Sequence, residues 1–129
     1  MSDKHDIANL EELYPYIAKK TVVEIGCGNG KRLLLFAKHA DKVIGYEGDK
    51  DTYKTAIENI KHLNNVALIN AYTAPSRMIS ADVYYVQQFN RWGNGPEYIE
   101  DFFREAKEND RKGLVAIPQE KGRIFLKEI

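Results

Sequence analysis

The chain has 129 residues, of which 43% are apolar and 29% are charged, and this length and composition are typical of one soluble globular domain. Its 19 basic and 19 acidic residues cancel to a formal net charge of zero, which excludes a strong overall attraction to nucleic acid or to an anionic membrane. One cysteine excludes an internal disulfide and a multi-cysteine metal site, and the lack of a signal-peptide core or a long apolar stretch predicts a cytoplasmic protein with no membrane-spanning segment.

The first predicted element is a helical lead-in within residues 1–20. Asp6 is placed to cap its start, and Pro15 interrupts it, so two short helices fit the pattern as well as one. Apolar residues recur at helical spacing here. They are Ile7, Leu10, Tyr14 and Ile17.

The stretch 21–38, TVVEIGCGNGKRLLLFAK, combines a strand, a glycine turn and a helix. Its β-branched start predicts a buried strand, three glycines follow at alternate positions, and strong helix formers begin at Lys31. This unit places backbone N–H groups beside a bound small molecule. We expect the rest of the fold to be arranged around it.

Further strands and helices alternate along the chain. Strand composition recurs over 42–47, 66–70, 82–87, 113–117 and 123–127. Apolar spacing predicts helices over 49–63 and 96–109, with Asp49 or Asp51 capping the first of them. The connection 71–80 is short and contains Pro75.

This alternation predicts an α/β fold with a Rossmann-like, doubly wound and mostly parallel sheet. We expect five parallel strands and a short antiparallel C-terminal strand, covered by helices on both faces in three α/β/α layers. Ligands of such sheets bind at the carboxyl ends of the strands. The glycine turn 26–30, Glu47, Asn70 and Gln87 all fall at such ends.

The glycine pattern narrows the ligand. A dinucleotide fingerprint, G-x-G-x-x-G, fails because Gly30 comes one residue early and Lys31 stands in the usual place of the third glycine. A phosphate-binding P-loop fails because Arg32 follows Gly30-Lys31. Glu47 lies about twenty residues beyond the first glycine, the position of an acid that binds ribose hydroxyls. These features together favour a nucleoside-type cofactor.

Three segments resemble a known family. VVEIGCGNG is similar to the first motif of the class I S-adenosylmethionine-dependent methyltransferases, VIGYEGD to the second, and ADVYYVQ to the fourth strand of that family. The resemblance covers roughly residues 21–117. It implies that S-adenosylmethionine is the cofactor and that residues 1–129 form a single methyltransferase-like domain with a truncated C-terminal hairpin region.

The resemblance also implies roles at the methionine end of the cofactor. Glu24 would fix the glycine loop or reach the methionine amine through water. The backbone around Gly26, Cys27 and Gly28 would pack against the methionyl and ribose parts. Gln87 would offer its main chain to the methionine amine.

At the nucleoside end, the resemblance assigns both ribose hydroxyls to Glu47, which is followed by Gly48. Asn70 and Ala71 would meet the adenine edge. The family usually has Asp where this chain has Asn70, and an amide can still hydrogen-bond adenine.

The function implied is methyl transfer to an unknown acceptor, by direct displacement between positioned reactants. Catalytic residues stay unassigned, and no metal site is expected because the histidines lack ligand spacing. The family's acceptor motif [DN]-P-P-[YF] is absent at 87–90. A loop with Phe89, Arg91 and Trp92 follows, and it fits an acceptor-binding role or a surface loop that pins the next helix.

Two other functions stay open. One is a non-catalytic module that binds S-adenosylmethionine, or a degenerate subunit of a complex, and the other is a nicotinamide-dependent oxidoreductase. Only residues 118–129 follow the fifth strand, so either the fold is minimal or a partner covers the sheet edge. A homodimer is a reasonable expectation.

Overall fold

One mixed sheet organises the part of the chain that can be described. The structure, a computed structural model, describes residues 5–72, 77–87 and 95–129. Within these ranges the sheet has seven strands in the order β1-β7-β6-β5-β2-β3-β4. The strands are β1 His5–Ile7, β2 Thr21–Ile25, β3 Lys42–Tyr46, β4 Val66–Ile69, β5 Val83–Val86, β6 Leu114–Pro118 and β7 Ile124–Glu128. The helices are α1 Tyr14–Ile17, α2 Lys31–Ala37, α3 Lys50–Ile60 and α4 Gly95–Glu108.

The topology confirms the predicted fold class. Strands β2 to β6 are parallel, and β7 is antiparallel to β6. The chain moves outward from β2 through β3 to β4 and then returns to β5 on the opposite side of β2. The strand order therefore reverses at β2, and the crevice for a ligand in such sheets lies at the carboxyl ends beside that point.

The prediction of a helical lead-in is wrong for its first part. Residues His5–Ile7 form β1, which pairs antiparallel with β7, and Arg123 Nη2 donates to Asp6 Oδ2 at 2.9 Å across this pair. Only a 3-10 turn, Leu10–Leu13, and the single turn of α1 follow. The helical spacing of the apolar residues is a local signal and does not decide the structure here. The backbone N–H and C=O groups at the edge of β7 need partners, and pairing with β1 supplies them, so this segment forms a strand.

This pairing bears on the partner expected at the sheet edge. The edge of β7 that the sequence leaves open is paired by residues of the same chain. This edge of β7 is therefore occupied by β1, while the homodimer stays a prediction that light scattering at working concentration would test.

Helices cover both faces of the sheet, as the three-layer prediction requires. On one face the core contains Leu33 and Phe36 of α2 with Tyr85 of β5, and on the other it contains Phe102 of α4 with Tyr84. The two neighbouring tyrosines therefore point to opposite faces, as strand periodicity predicts. None of the helices in the described ranges has the length and hydropathy needed to cross a bilayer.

Candidate functional site

The glycine loop between β2 and α2 is tied to the end of β3. The N–H groups of Gly26 and Cys27 both donate to the Tyr46 carbonyl, at 2.8 and 3.0 Å. Gly28 adopts a φ of 58°, and a Cβ added there would meet no atom within 4 Å. The loop is thus held from beneath by β3, while the space beside the Gly28 Cα is open.

Close packing beneath this loop depends on Gly45, near the carboxyl end of β3. A Cβ at this position would lie 2.9 Å from Cys27 Sγ, Leu33 Cδ1 and Leu68 Cδ2. Burial raises the pKa of the Cys27 thiol to about 12, so the thiol is neutral at physiological pH. Cys27 therefore acts as a small apolar residue between the loop and the sheet.

Glu47 follows β3 directly, and its buried carboxylate connects two loops. Its Oε1 accepts the N–H of Gly28 at 3.0 Å, and its Oε2 accepts the N–H of Asp49 at 2.9 Å. Asp49, one of the two predicted caps, in turn caps α3 by accepting the N–H of Thr52 at 2.9 Å. Two backbone N–H groups therefore orient the carboxylate, and each of its oxygens keeps capacity to accept another hydrogen bond.

Asn70 lies beside Glu47, at the end of the neighbouring strand β4. Its Nδ2 donates to the carbonyl of Glu47 at 2.9 Å and to the carbonyl of Gly48 at 3.3 Å. An ionised Asp has no donor for these two carbonyls. The amide at this position is therefore matched to the backbone that it contacts.

The ring of Tyr72 covers Gly48, a contact that the sequence analysis missed. A Cβ on Gly48 would overlap this ring, although 68% of the Tyr72 surface stays exposed to solvent. Ala71 lies between Asn70 and Tyr72 in the chain. Gly48 and Tyr72 together form one wall of the site. The sequence signal that could have indicated this close contact is Gly48, a glycine directly after the predicted ribose-binding acid.

A second carboxylate, Glu24, lies within β2 and is completely buried. Its Oε2 accepts Nε of Arg32 at 2.8 Å, and the Arg32 guanidinium lies over the ring of Tyr85, 5.2 Å from the centroid. Burial raises the pKa of Glu24 to about 7, while Arg32 and, to a smaller extent, Gln87 lower it. Sequence analysis missed Arg32, because nothing in local spacing links a strand residue to this position of the following helix.

The remaining predicted residues divide between described and undescribed segments. Gln87 lies at the end of β5, and its Nε2 is 3.5 Å from the Gly26 carbonyl. Phe89, Arg91 and Trp92, for which an acceptor-binding role and a surface-loop role were both open, lie outside the described residues. Across the described segments, no group of three His, Cys, Asp or Glu side chains is placed to hold a metal ion.

The predicted residues therefore meet at one edge of the sheet. The arrangement presents an open space beside a glycine, one carboxylate with accepting capacity at the end of β3, and a second carboxylate beneath the loop. Carboxylates and backbone carbonyls are acceptors for hydroxyl and ammonium groups. The described part of the site is thus suited to a ligand that donates hydrogen bonds.

No protein-family model matches this sequence, and no curated protein matches it. Among solved structures, the Escherichia coli protein yhhF, provisionally assigned as a methyltransferase, matches with a TM-score of 0.70 at 15% identity, over 92% of this chain and 81% of that one. Phosphoethanolamine N-methyltransferase 1 of Haemonchus contortus, solved with phosphoethanolamine and S-adenosylhomocysteine, matches at a TM-score of 0.63 and 18% identity. That match covers 80% of this chain and 22% of the other.

The cyclase SpnF matches at a TM-score of 0.60 and 14% identity, over 82% of this chain and 42% of its own. The chain therefore spans less than half the length of two of these three proteins. Structural similarity at such low sequence identity is evidence for the fold alone. This chain has the Rossmann-like fold of the class I S-adenosylmethionine-dependent methyltransferases.

Proposed function

We propose that this chain binds S-adenosylmethionine and transfers its methyl group to an acceptor. The observation that carries the proposal is the contact between Glu47 and Gly28, which sets a buried carboxylate against the glycine loop at the point where the strand order reverses. In the resembling family, an acid at this position binds the ribose.

The nucleoside end of the cofactor fits the residues around β3 and β4. Glu47 is anchored by two backbone N–H groups and can still accept from both ribose hydroxyls. Gly48 and Tyr72 provide a flat wall, which suits an adenine ring. Ala71 and Asn70 would meet the adenine edge through the backbone beside that wall.

The amino-acid end fits the residues around β2 and β5. The open space beside Gly28 would admit the chain of the methionyl group. Glu24 has a buried oxygen, Oε1, that accepts no hydrogen bond from any described residue. A buried polar atom of this kind needs a donor, and an ammonium group is a suitable one.

Catalysis in this proposal consists mainly of positioning. When bound, S-adenosylmethionine would supply a methyl group that is already activated on its sulfonium. The chain's own residues would hold the donor against the sheet and align it with the acceptor, and alignment alone contributes a large share of such rate enhancements. We assign no general base, because none is required unless the acceptor must lose a proton.

Two alternatives compete with this function. SpnF shares the fold and is named as a cyclase, so the fold by itself does not decide the reaction. A non-catalytic module that binds the cofactor is therefore the second candidate. A nicotinamide-dependent enzyme is disfavoured because Lys31 stands where the dinucleotide fingerprint has its third glycine.

Calorimetry with S-adenosylmethionine, S-adenosylhomocysteine and NAD separates these candidates. We expect both sulfur nucleosides to bind and NAD to give no heat of binding. Binding of NAD alone would overturn the proposal, and binding of none of the three would indicate a fold without its cofactor. If the donor binds, transfer of a labelled methyl group is then assayed with small-molecule, protein and RNA acceptors. A bound donor without transfer to any of them would favour the non-catalytic module.

A further inference from the structure

Three loops meet at the edge of the sheet opposite the glycine loop, where the parallel strands β2, β3 and β4 begin. The loops are residues 18–20, 38–42 and 61–65. The Lys19 N–H donates to the His39 carbonyl at 3.1 Å, which joins the first loop to the second. Asn65 Nδ2 donates to the Ala37 carbonyl at 3.0 Å, which ties the third loop to the end of α2. Segments that are distant in sequence therefore form one surface.

This surface is basic, although the net charge of the whole chain is zero. Within the three loops one acid, Asp41, is outnumbered by five lysines, and all of these side chains are exposed. The lysines, which we refer to as the basic edge, are Lys19, Lys20, Lys38, Lys42 and Lys61. Within the described ranges only Lys61 among them has an ion-pair partner, Glu58 at 2.7 Å. The other four ammonium groups are available to an external anion.

The lysines follow the order of the strands. Lys61 precedes β4, Lys42 begins β3, and Lys20 precedes β2. Because neighbouring strands lie about 4.8 Å apart, the positive charges repeat along the edge. A small anion is usually bound by groups that converge in a pocket, whereas a row of cations suits a polymer with repeated negative charges, such as a phosphodiester backbone.

The basic edge ends at β2. The neighbouring cavity, of about 460 Å³, is lined by Lys20 and Lys112 but also by Asp82 and Glu128. Its charged side chains therefore balance. The excess of positive charge is confined to the loops before β2, β3 and β4.

An exposed ring lies among these lysines. His39 is stacked on Tyr14, with ring centroids 4.0 Å apart and an angle of 20° between the rings. A ring that is held in one orientation beside positive charges is suited to stack on an unpaired base. This feature favours a single strand of nucleic acid over other polyanions.

A membrane surface fits the basic edge less well. Stable attachment to a bilayer needs a second signal besides a basic patch, such as apolar side chains that insert. Among the described residues, the large apolar side chains that are exposed are Tyr16, Tyr72 and Ile79, and none of them belongs to the three loops.

We propose that the basic edge binds a single strand of nucleic acid, with its lysines on the phosphates and His39 stacked on a base. The site lies at the opposite edge of the sheet from Gly28 and Glu47, so it is separate from the cofactor site. It does not depend on the proposed function.

The test uses fluorescence anisotropy with a labelled single-stranded RNA of about 12 nucleotides, and with DNA of the same sequence, over a series of salt concentrations. The variant combines Lys20→Gln, Lys38→Gln and Lys42→Gln. We expect its Kd to rise by about tenfold or more. The slope of log affinity against log salt concentration should fall by about two, because each phosphate contact on a single strand contributes about 0.7 to it.

The matched control combines Lys50→Gln, Lys54→Gln and Lys107→Gln, which removes three exposed lysines from α3 and α4. The net charge changes by the same amount, but the Kd and the salt slope should stay as in wild type. His39→Ala should weaken binding by about fivefold or more, because stacking is lost, whereas His39→Phe should retain most of the affinity. Equal losses in these two variants would overturn the role of His39.

Equal weakening by both triple variants would overturn the proposal, because total charge alone would then decide binding. It is also overturned if the wild type binds neither strand at low salt. Binding of phosphatidylserine vesicles without binding of either strand overturns it in favour of a membrane. Salt-dependent self-association without binding of either strand overturns it in favour of a second copy, whose α4 carries five acidic and two basic residues.

Two further measurements complete the test. Calorimetry with S-adenosylhomocysteine separates this proposal from the proposed function: binding of the strand without the nucleoside would contradict only the function, and the reverse result would contradict only this inference. Thermal unfolding checks that the variants fold. Should the triple variant not fold, Lys38→Gln alone decides, with an expected decrease of about 0.7 in the salt slope.

Discussion

Gly28 and Glu47 are joined by a direct hydrogen bond, in which the Gly28 N–H donates to Oε1 of Glu47 at 3.0 Å across 19 positions of the chain. This bond connects the loop after β2 to the end of β3. The other carboxylate oxygen holds the start of α3 through the Asp49 N–H. The Glu47 side chain therefore links the glycine loop to the start of α3, and the same two hydrogen bonds fix the orientation of its carboxylate.

Replacement of Glu47 by Gln tests its role in the site. The amide keeps the size of the side chain but loses the charge, and a charged acceptor contributes about 1.5–3 kcal/mol. We expect the Kd for S-adenosylmethionine to rise by about tenfold or more in calorimetry. Asp51→Asn is the control, because Asp51 is an exposed acid in the first turn of α3, and it should leave the Kd unchanged. An unchanged Kd in Glu47→Gln would remove Glu47 from the site.

Replacement of Gly45 by Ala tests the packing beneath the glycine loop. The added methyl group would lie 2.9 Å from three side chains, including that of Leu68. Overpacking of this kind costs about 1–3 kcal/mol, so we expect a lower Tm in thermal unfolding. Leu68→Ala made together with Gly45→Ala should destabilise less than the sum of the two single changes, because it removes one of the clashes. Strict additivity would show that the methyl group is accommodated in another way.

The buried Glu24 carboxyl predicts a dependence of stability on pH. Burial raises its pKa from 4.5 to about 7, against the opposing effect of Arg32, and Glu47 adds to the increase. Between these pH values the folded state holds the proton more tightly than the unfolded chain, so stability falls as pH rises from about 4.5 to about 7. Above the folded pKa the contribution is constant, because both states are ionised.

Glu24→Gln should remove this contribution, since the amide does not titrate. Urea unfolding between pH 5 and pH 8 measures the difference in unfolding free energy between wild type and variant. We expect wild type to lose stability relative to Glu24→Gln as pH rises, by on the order of 3 kcal/mol over the full interval. A difference that is constant with pH would mean that the carboxyl is already ionised at low pH.

Arg111 should stabilise the segment that precedes β5. Its Nη2 donates to the Met78 carbonyl at 2.6 Å, and its Nη1 lies 3.2 Å from Ser80 Oγ. We expect Arg111→Ala to reduce the unfolding free energy by about 1–3 kcal/mol, because the buried carbonyl loses its donor. Arg104→Ala is the control, since Arg104 forms an exposed pair with Asp101 and such pairs contribute about 1 kcal/mol or less. Equal effects in urea unfolding would contradict the assignment.

Much of the fold could be predicted because its signals are local. The strand, glycine turn and helix of 21–38 follow from β-branched residues, positive φ at glycines and helix formers that are adjacent in sequence. The parallel direction of β2 to β6 could be predicted from the alternation of strands and helices along the chain. The position of Glu47 beside the glycine loop could likewise be predicted, because consecutive parallel strands end at the same edge of the sheet.

The contacts that distinguish this chain are non-local, and only the tertiary structure decided them. β1 forms because β7, far along the chain, has an open edge, and local helical spacing could not reveal that. Arg32 reaches Glu24 because α2 packs back onto the sheet. Gly45 matters because three side chains from other parts of the chain meet it. The sequence by itself determined the architecture and the edge where a cofactor would bind. Packing between distant segments decided which polar atoms at that edge are satisfied and which remain to meet a ligand.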